Sequence, residues 1–178
     1  MRLSAKRSAI LEQWKTRLQD PVELKELRSQ LWLINMGNMR RVYSLGDGFV
    51  LKLPRNQDKS CTPEGRRANQ REWTAWLALS RKRPRCSMLT RVYACAPDGS
   101  WLIAEKVEEN RLAGGTFDKR LRRFMMAFTR YYGDMLLDGK CSWWCLDLGY
   151  NNFGVRDGRL VILDLEYVGG YLKSAFLV

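Results

Sequence analysis

The chain has 178 residues, with 31 lysines and arginines against 19 aspartates and glutamates, a formal net charge of +12 and no histidine. Without histidine there is no Ser-His-Asp triad and no Cys-His dyad, so proton transfer falls to carboxylates, lysine, tyrosine or cysteine. Apolar residues at 46% and charged residues at 28% are globular proportions, and the charge balance points to anionic partners: nucleic acid, acidic proteins, membrane surfaces or phosphorylated ligands.

Residues 3–19 carry Ile10, Leu11, Trp14 and Leu18 at helical spacing and predict an amphipathic helix. Asp20 followed by Pro21 is an N-cap with proline at the first helical position, and it starts a short second helix through Ser29. Then the period changes. Residues 31–36, 40–44 and Phe49–Pro54 read as three short strands. The last two meet across the turn at 45–48, where Asp47-Gly48 supplies positive-φ positions. Residues 55–65 are expected as a loop. Residues 66–81 are expected as a helix with Ala68, Trp73, Trp76, Leu77 and Leu79 as its apolar set. Two more strands, 88–95 and 100–107, complete a meander of five strands interrupted by one helix.

Residues 108–115 read as a linker. A long helix is expected over 118–138, with Leu121, Phe124, Met125, Phe128, Tyr131, Tyr132 and Met135 as its buried stripe and Gly139 as its stop. A hairpin around Asp157-Gly158, with Val161, Ile162 and Leu163 as a buried strand, closes the pattern.

No apolar run approaches the roughly 20 residues of a bilayer span, and the charged N-terminus MRLSAKRSAILEQWKTRLQD is not a secretory leader. A soluble, cytoplasmic protein is expected. Five scattered cysteines (Cys61, Cys86, Cys95, Cys141 and Cys145) form no CxxC pair, which argues against a disulfide framework. With no histidine beside them they do not complete a zinc site.

Several residues stand out from this scaffold. Lys52 sits inside the apolar run VLKLP. An unpaired ammonium there is costly, so it needs a partner or a phosphate, and Glu72 lies in line with Ala68, Trp76 and Leu79 on the following helix. Asp147 follows the long helix in CLDLGYNN, with Asn152 five residues on, and Asp164 ends the hairpin strand in LDLE.

Lys52, Glu72, Asp147, Asn152 and Asp164, in this order and with these elements between them, resemble the superfamily of protein kinases and kinase-like phosphotransferases over residues 31–169. The resemblance implies an α+β, two-lobed fold. Residues 1–30 would be N-terminal helices, 31–107 a five-stranded antiparallel N-lobe with one helix, and 108–178 a reduced, mostly helical C-lobe. It also implies ATP and Mg2+ as cofactors. Lys52 would pair with Glu72 and with the α- and β-phosphates. Asp147 would be the catalytic base, at the spacing from Asn152 that the family's HRDxxxxN loop has. Asn152 and Asp164 would hold Mg2+. Residues 105–107, Glu105 and Val107 among them, would be the hinge whose backbone faces adenine. Gly37 and Arg40, in MGNMRR, stand where the family has its phosphate loop.

The departures from the family pattern are specific. Cys145 stands for the catalytic-loop histidine, Glu166 for the glycine after the metal aspartate, and Gly149 for the lysine of many Ser/Thr kinases. MGNMRR has Gly37 alone, not GxGxxG. The residues after Asp164 are too few for a full activation segment and helical substrate platform, a reduction comparable to small kinase-like proteins of bacterial pathogens and bacteriophages. Three functions follow. The first is an ATP- and Mg2+-dependent phosphotransferase acting on a hydroxyl. The second is a pseudokinase-like module that acts by contact with an acidic protein partner. The third is a nucleic-acid binder, suggested by SRKRPRC and seven tryptophans, although most of those tryptophans fall at core spacing.

Overall fold

The computed structural model describes residues 3–55, 62–82, 88–109, 115–136, 152–166, 168 and 172. Its elements are α1 (Ala5–Gln19), α2 (Pro21–Gln30), β1 (Leu33–Met36), β2 (Arg40–Gly46), β3 (Phe49–Pro54), α3 (Thr62–Lys82), β4 (Val92–Cys95), β5 (Leu102–Glu105), β6 (Glu108–Glu109), α4 (Gly115–Tyr132), β7 (Phe153–Arg156) and β8 (Arg159–Ile162). The chain divides into two units, Met1–Gln70 with Val92–Lys106, and Arg71–Arg91 with Val107–Val178.

The first unit is built on an antiparallel sheet of five strands in the order β1-β2-β3-β5-β4. The class is α+β, with one helix inserted between β3 and β4, the order that the kinase-like resemblance implies. Asp47 (φ 47°) and Gly48 (φ 79°) turn β2 into β3, the positive-φ pair that a two-residue hairpin needs. Two helices precede the sheet. Ser4 caps α1, its Oγ accepting the Arg7 N–H, and Asp20 caps α2, its Oδ1 accepting the Val22 N–H at 2.8 Å with Pro21 behind it. Both helices bury leucines against one sheet face. Leu11, Leu18 and Leu27 share a core with Tyr43, Leu51, Leu53, Trp101 and Ile103.

α3 starts at Thr62, inside the stretch expected as a loop. Pro63 and Gly65 look like loop residues, but proline is tolerated in a first turn, where its missing N–H has no intrahelical partner anyway. Gly65 is a contact residue: a Cβ there would lie 2.7 Å from the Met39 carbonyl oxygen and 2.8 Å from Pro54 Cβ. Glycine lets the helix start lie directly on the sheet.

The second unit holds α4, the C-terminal part of α3 and a three-stranded antiparallel sheet in the order β6-β7-β8. Its core packs Leu79, Leu121, Phe124, Phe128, Tyr132, Met135, Phe153, Ile162 and Leu165 together. Phe124 meets Phe153 edge to face at 5.4 Å. Most of the expected apolar stripe of α4 is buried, and Tyr131 packs on it half-buried. α4 ends at Tyr132 and tightens into a 3-10 turn at Gly133–Met135, short of the expected 138; Gly133, a weak helix former, marks the change. Lys82 at the end of α3 pairs with Asp134 of that turn.

Two further expectations are corrected. Residues 88–90 are not part of β4: Leu89 bridges Ile162 in parallel, the Thr90 N–H donates to the Ile162 carbonyl at 3.0 Å, and the Ile162 N–H donates to the Met88 carbonyl at 3.0 Å. The start of the expected linker, Glu108–Glu109, is strand β6 on β7. No helix among the described residues is long and apolar enough to cross a membrane.

Candidate functional site

The site begins with strand alternation. Side chains along a strand point to opposite faces in turn. Leu51 and Leu53 enter the core shared with α1 and α2, so Lys52 faces the other way. Ladder register puts Asn35, Val42, Lys52, Leu102 and Cys95 in one row across the sheet. The neighbouring row on the same face is Ser44, Val50, Ala104 and Val92. Lys52 is only 6% exposed, so its ammonium does not reach water along an exposed stem. Its strand is buried at all six positions.

α3 fastens to this part of the sheet through Asn69, which is fully buried. Its Nδ2 donates to the Lys52 carbonyl at 3.4 Å and to the Gly99 carbonyl at 2.9 Å, and its Oδ1 accepts from Arg40 Nη1 at 3.3 Å. Arg40 is therefore buried and tied to the helix rather than carried as an exposed strand charge. Beside Gly99, Asp98 is held below the usual carboxylate range: burial opposes its ionisation, but the Ser100 hydrogen bonds and the Arg66 guanidinium at 3.0 Å outweigh that. Gly37 closes the β1–β2 turn. Its N–H donates to the Arg40 carbonyl at 2.9 Å, and its carbonyl accepts from Arg55 at 3.2 Å.

Glu72 lies three residues beyond Asn69 on α3, on the same side of the helix, and is fully buried. A carboxylate so placed among Ala68, Ala75 and Leu79 demands a cationic or hydrogen-bonding partner. Lys52 belongs to the first unit, and Glu72, Asn152 and Asp164 to the second.

In the second unit the β7–β8 hairpin brings two expected ligands together. Phe153 pairs with Ile162, and the ladder runs one step further, the Leu163 N–H donating to the Asn152 carbonyl at 2.9 Å. Asn152 and Asp164 thus flank the open end of one hairpin. Asp164 Oδ1 accepts the Glu166 N–H at 2.9 Å, an Asx-type turn that orients the carboxylate. Glu166 is buried, with its Oε1 3.7 Å from Arg71 Nη1 on α3. Gly154 makes room for close packing: a Cβ would meet the Glu108 carbonyl oxygen at 2.8 Å and Val107 Cγ1 at 2.8 Å. Asp147 lies outside the described residues.

Between the units' sequences runs the segment 105–107. Glu105 pairs with Phe49 in the sheet, and the Lys106 N–H donates to the Gly48 carbonyl at 2.8 Å. Val107 is half-buried.

The donor set fits Mg2+. No cluster of three or more His, Cys, Asp or Glu that could hold a metal occurs among the described residues. Mg2+ does not need one, because it is commonly held by one or two protein oxygens plus phosphates and water. Asn152 and Asp164 offer those oxygens. Residues that sequence reading missed are Asn69 and the aliphatic neighbours of Lys52 on its sheet face, Val42, Val50 and Ala104. The signal for Val50 was its place two residues before Lys52; the other two follow only from register.

No protein-family model matches the chain, and no curated protein matches it either. Among solved structures the chain is similar to a choline/ethanolamine kinase family protein from Mesorhizobium loti, at 13% identity and a TM-score of 0.43. The match covers 89% of this chain and 65% of that one, so the chain spans about two thirds of its length.

Proposed function

We propose that the protein is a kinase-like phosphotransferase that binds ATP with Mg2+ and passes the γ-phosphate to a hydroxyl. The observation that carries this reading is Lys52: a buried lysine at the centre of a five-stranded antiparallel sheet, sharing its face with Val42, Val50 and Ala104. Such a face offers an apolar bed for a planar base with a cation beside it for phosphates. Lys52 meets the α- and β-phosphates, and Glu72 is the carboxylate that the kinase-like resemblance assigns to it. The 105–107 backbone faces adenine; since the Lys106 N–H serves the sheet, the base contacts fall to Glu105 and Val107. Gly37 lies over the phosphates, and Arg40 stiffens that edge through Asn69. Asn152 and Asp164 hold Mg2+, which when bound neutralises charge on the phosphoryl oxygens. Asp147 orients the acceptor hydroxyl and takes its proton as the acceptor oxygen bonds to the γ-phosphorus and the bond from that phosphorus to the bridging oxygen breaks, ADP being the leaving group.

Calorimetry tests this directly. Wild type is expected to bind ATP in an Mg2+-dependent way. Lys52→Ala should weaken binding by about ten-fold or more, the loss of a charge-assisted contact, and Asp164→Asn should remove the Mg2+ dependence. Asp147→Ala should keep binding and lose about 10²–10⁴-fold in transfer rate. A folded wild type that binds no nucleotide overturns the reading.

A second reading, a module that acts by docking an acidic protein, is favoured by the outer face of α4. Lys119, Arg122, Arg123, Met126 and Arg130 are exposed at helical spacing, and Met126 is 75% exposed. None of these four cations is in an ion pair among the described residues, whereas Lys15, Arg17, Arg66 and Lys82 are.

A further inference from the structure

The carbonyl of Gly48, in the β2–β3 turn, accepts two hydrogen bonds. One comes from the Lys106 N–H at 2.8 Å, the other from Arg7 Nη2 at 3.3 Å. The same guanidinium lies over the Phe49 ring, 4.7 Å from its centroid. Phe49 is fully buried and pairs with Glu105 across β3 and β5. Arg7 itself is set by the first turn of α1, where its N–H donates to the capping Ser4 Oγ at 3.3 Å. One side chain of the N-terminal helix therefore grips both residues against which Glu105 and Lys106 are laid. Gly48 is fitted to this contact: it holds φ +79°, and a Cβ would come within 2.9 Å of Arg7 Nη2.

We infer that Arg7 is a positioning residue for the nucleotide site. It holds the Gly48 carbonyl in place, and through it the Lys106 N–H and the backbone of 105–107 that faces adenine. The inference rests on the hinge assignment in the proposed function. A carbonyl oxygen has two lone pairs, and the guanidinium on one of them fixes the direction in which the other meets the Lys106 N–H. The planar guanidinium donates to Gly48 while stacking on Phe49; a lysine ammonium lacks that planar fork. α1 thereby belongs to the nucleotide site although it packs on the sheet face opposite Lys52.

The test compares wild type, Arg7→Ala and Arg7→Lys. It measures affinity for Mg-ATP, affinity for Mg-tripolyphosphate, which has no base to meet the 105–107 backbone, and amide hydrogen exchange at Lys106 without ligand. Arg7→Ala is expected to bind ATP about ten-fold more weakly, to bind tripolyphosphate as wild type does, and to exchange the Lys106 amide about ten-fold faster. Arg7→Lys should fall between. ATP affinity and Lys106 exchange both unchanged in Arg7→Ala would overturn the inference. So would an equal loss of both ligands with a lowered Tm, the mark of a merely structural role. If wild type binds neither ligand, the nucleotide-site reading itself fails, and Lys106 exchange alone decides whether Arg7 braces the Lys106 backbone.

Discussion

Asn69 shows how much one side chain can settle. Its amide joins α3 to a carbonyl within β3, a carbonyl of the β4–β5 turn and a buried arginine, with partners 17, 30 and 29 residues away in sequence. Removing it leaves buried polar groups without these partners, and each such loss costs about 1–3 kcal/mol. Asn69→Ala should therefore lower stability by about 2–4 kcal/mol, read as a shift in the urea midpoint at unchanged slope. A loss below about 0.5 kcal/mol, the size of an ordinary surface change, would show that the amide is dispensable. At this scale legibility is uneven. Lys52 could be picked out because a charge inside the apolar run VLKLP is conspicuous, whereas Glu72, between Arg71 and Trp73, stood out only through its place after Lys52 in the kinase-like order. Asn69 could not, since an asparagine between Ala68 and Gln70 reads like any solvent-facing helix residue. Nothing local marks it; its partners come from β2, β3 and the β4–β5 turn. Arg7 escaped for the same reason, its partners lying on the β2–β3 turn.

At the scale of elements, the caps were readable and the pairings less so. Asp20 is the single residue between α1 and α2 and the cap of the second, and its role follows from Asp-Pro alone. Asp20→Ala should cost about 1 kcal/mol, within the usual 0.5–2 kcal/mol for a lost cap, measured by thermal or urea unfolding. Asp20→Asn should restore most of it, because asparagine caps comparably well. If both variants unfold alike, the Val22 hydrogen bond is not what starts α2. The hairpins at Asp47-Gly48 and Asp157-Gly158 were equally legible, since both residues of each turn sit at positive φ. By contrast, residues 88–90 and Glu108–Glu109 pair with the β7–β8 hairpin more than forty positions away. Periodicity says that a stretch is extended but not which strand it will join. The start of α3 was misjudged because proline and glycine read as loop residues until Gly65 is seen against Pro54.

Across the whole molecule, the order of strands and helix around Lys52 was readable, because it needs only periods and turns. A net charge of +12 says less, since it names no surface. α4 gives it one. Its inner face is committed to the core of the second unit, so the helix cannot lay an apolar face on a membrane in the usual manner. What it presents outward is a ridge of Lys119, Arg122, Arg123 and Arg130 around the exposed Met126. Three of the four cations are arginines, whose flat guanidinium matches carboxylates in pairs. If the protein docks an acidic partner, this ridge is where it does so. Poly-glutamate is the simplest probe. Wild type should bind it at low ionic strength and release it as salt approaches about 0.5 M, where screening falls to a few ångströms. Replacing the four cations by glutamine should weaken binding at low salt by about ten-fold or more, while Mg-ATP affinity stays as in wild type. Unchanged poly-glutamate binding in that variant would place the attraction elsewhere on the surface and remove the observation on which the contact reading stands. Loss of both ligands together would mean that the second unit no longer folds, and single replacements at Arg123 and Arg130 then carry the comparison.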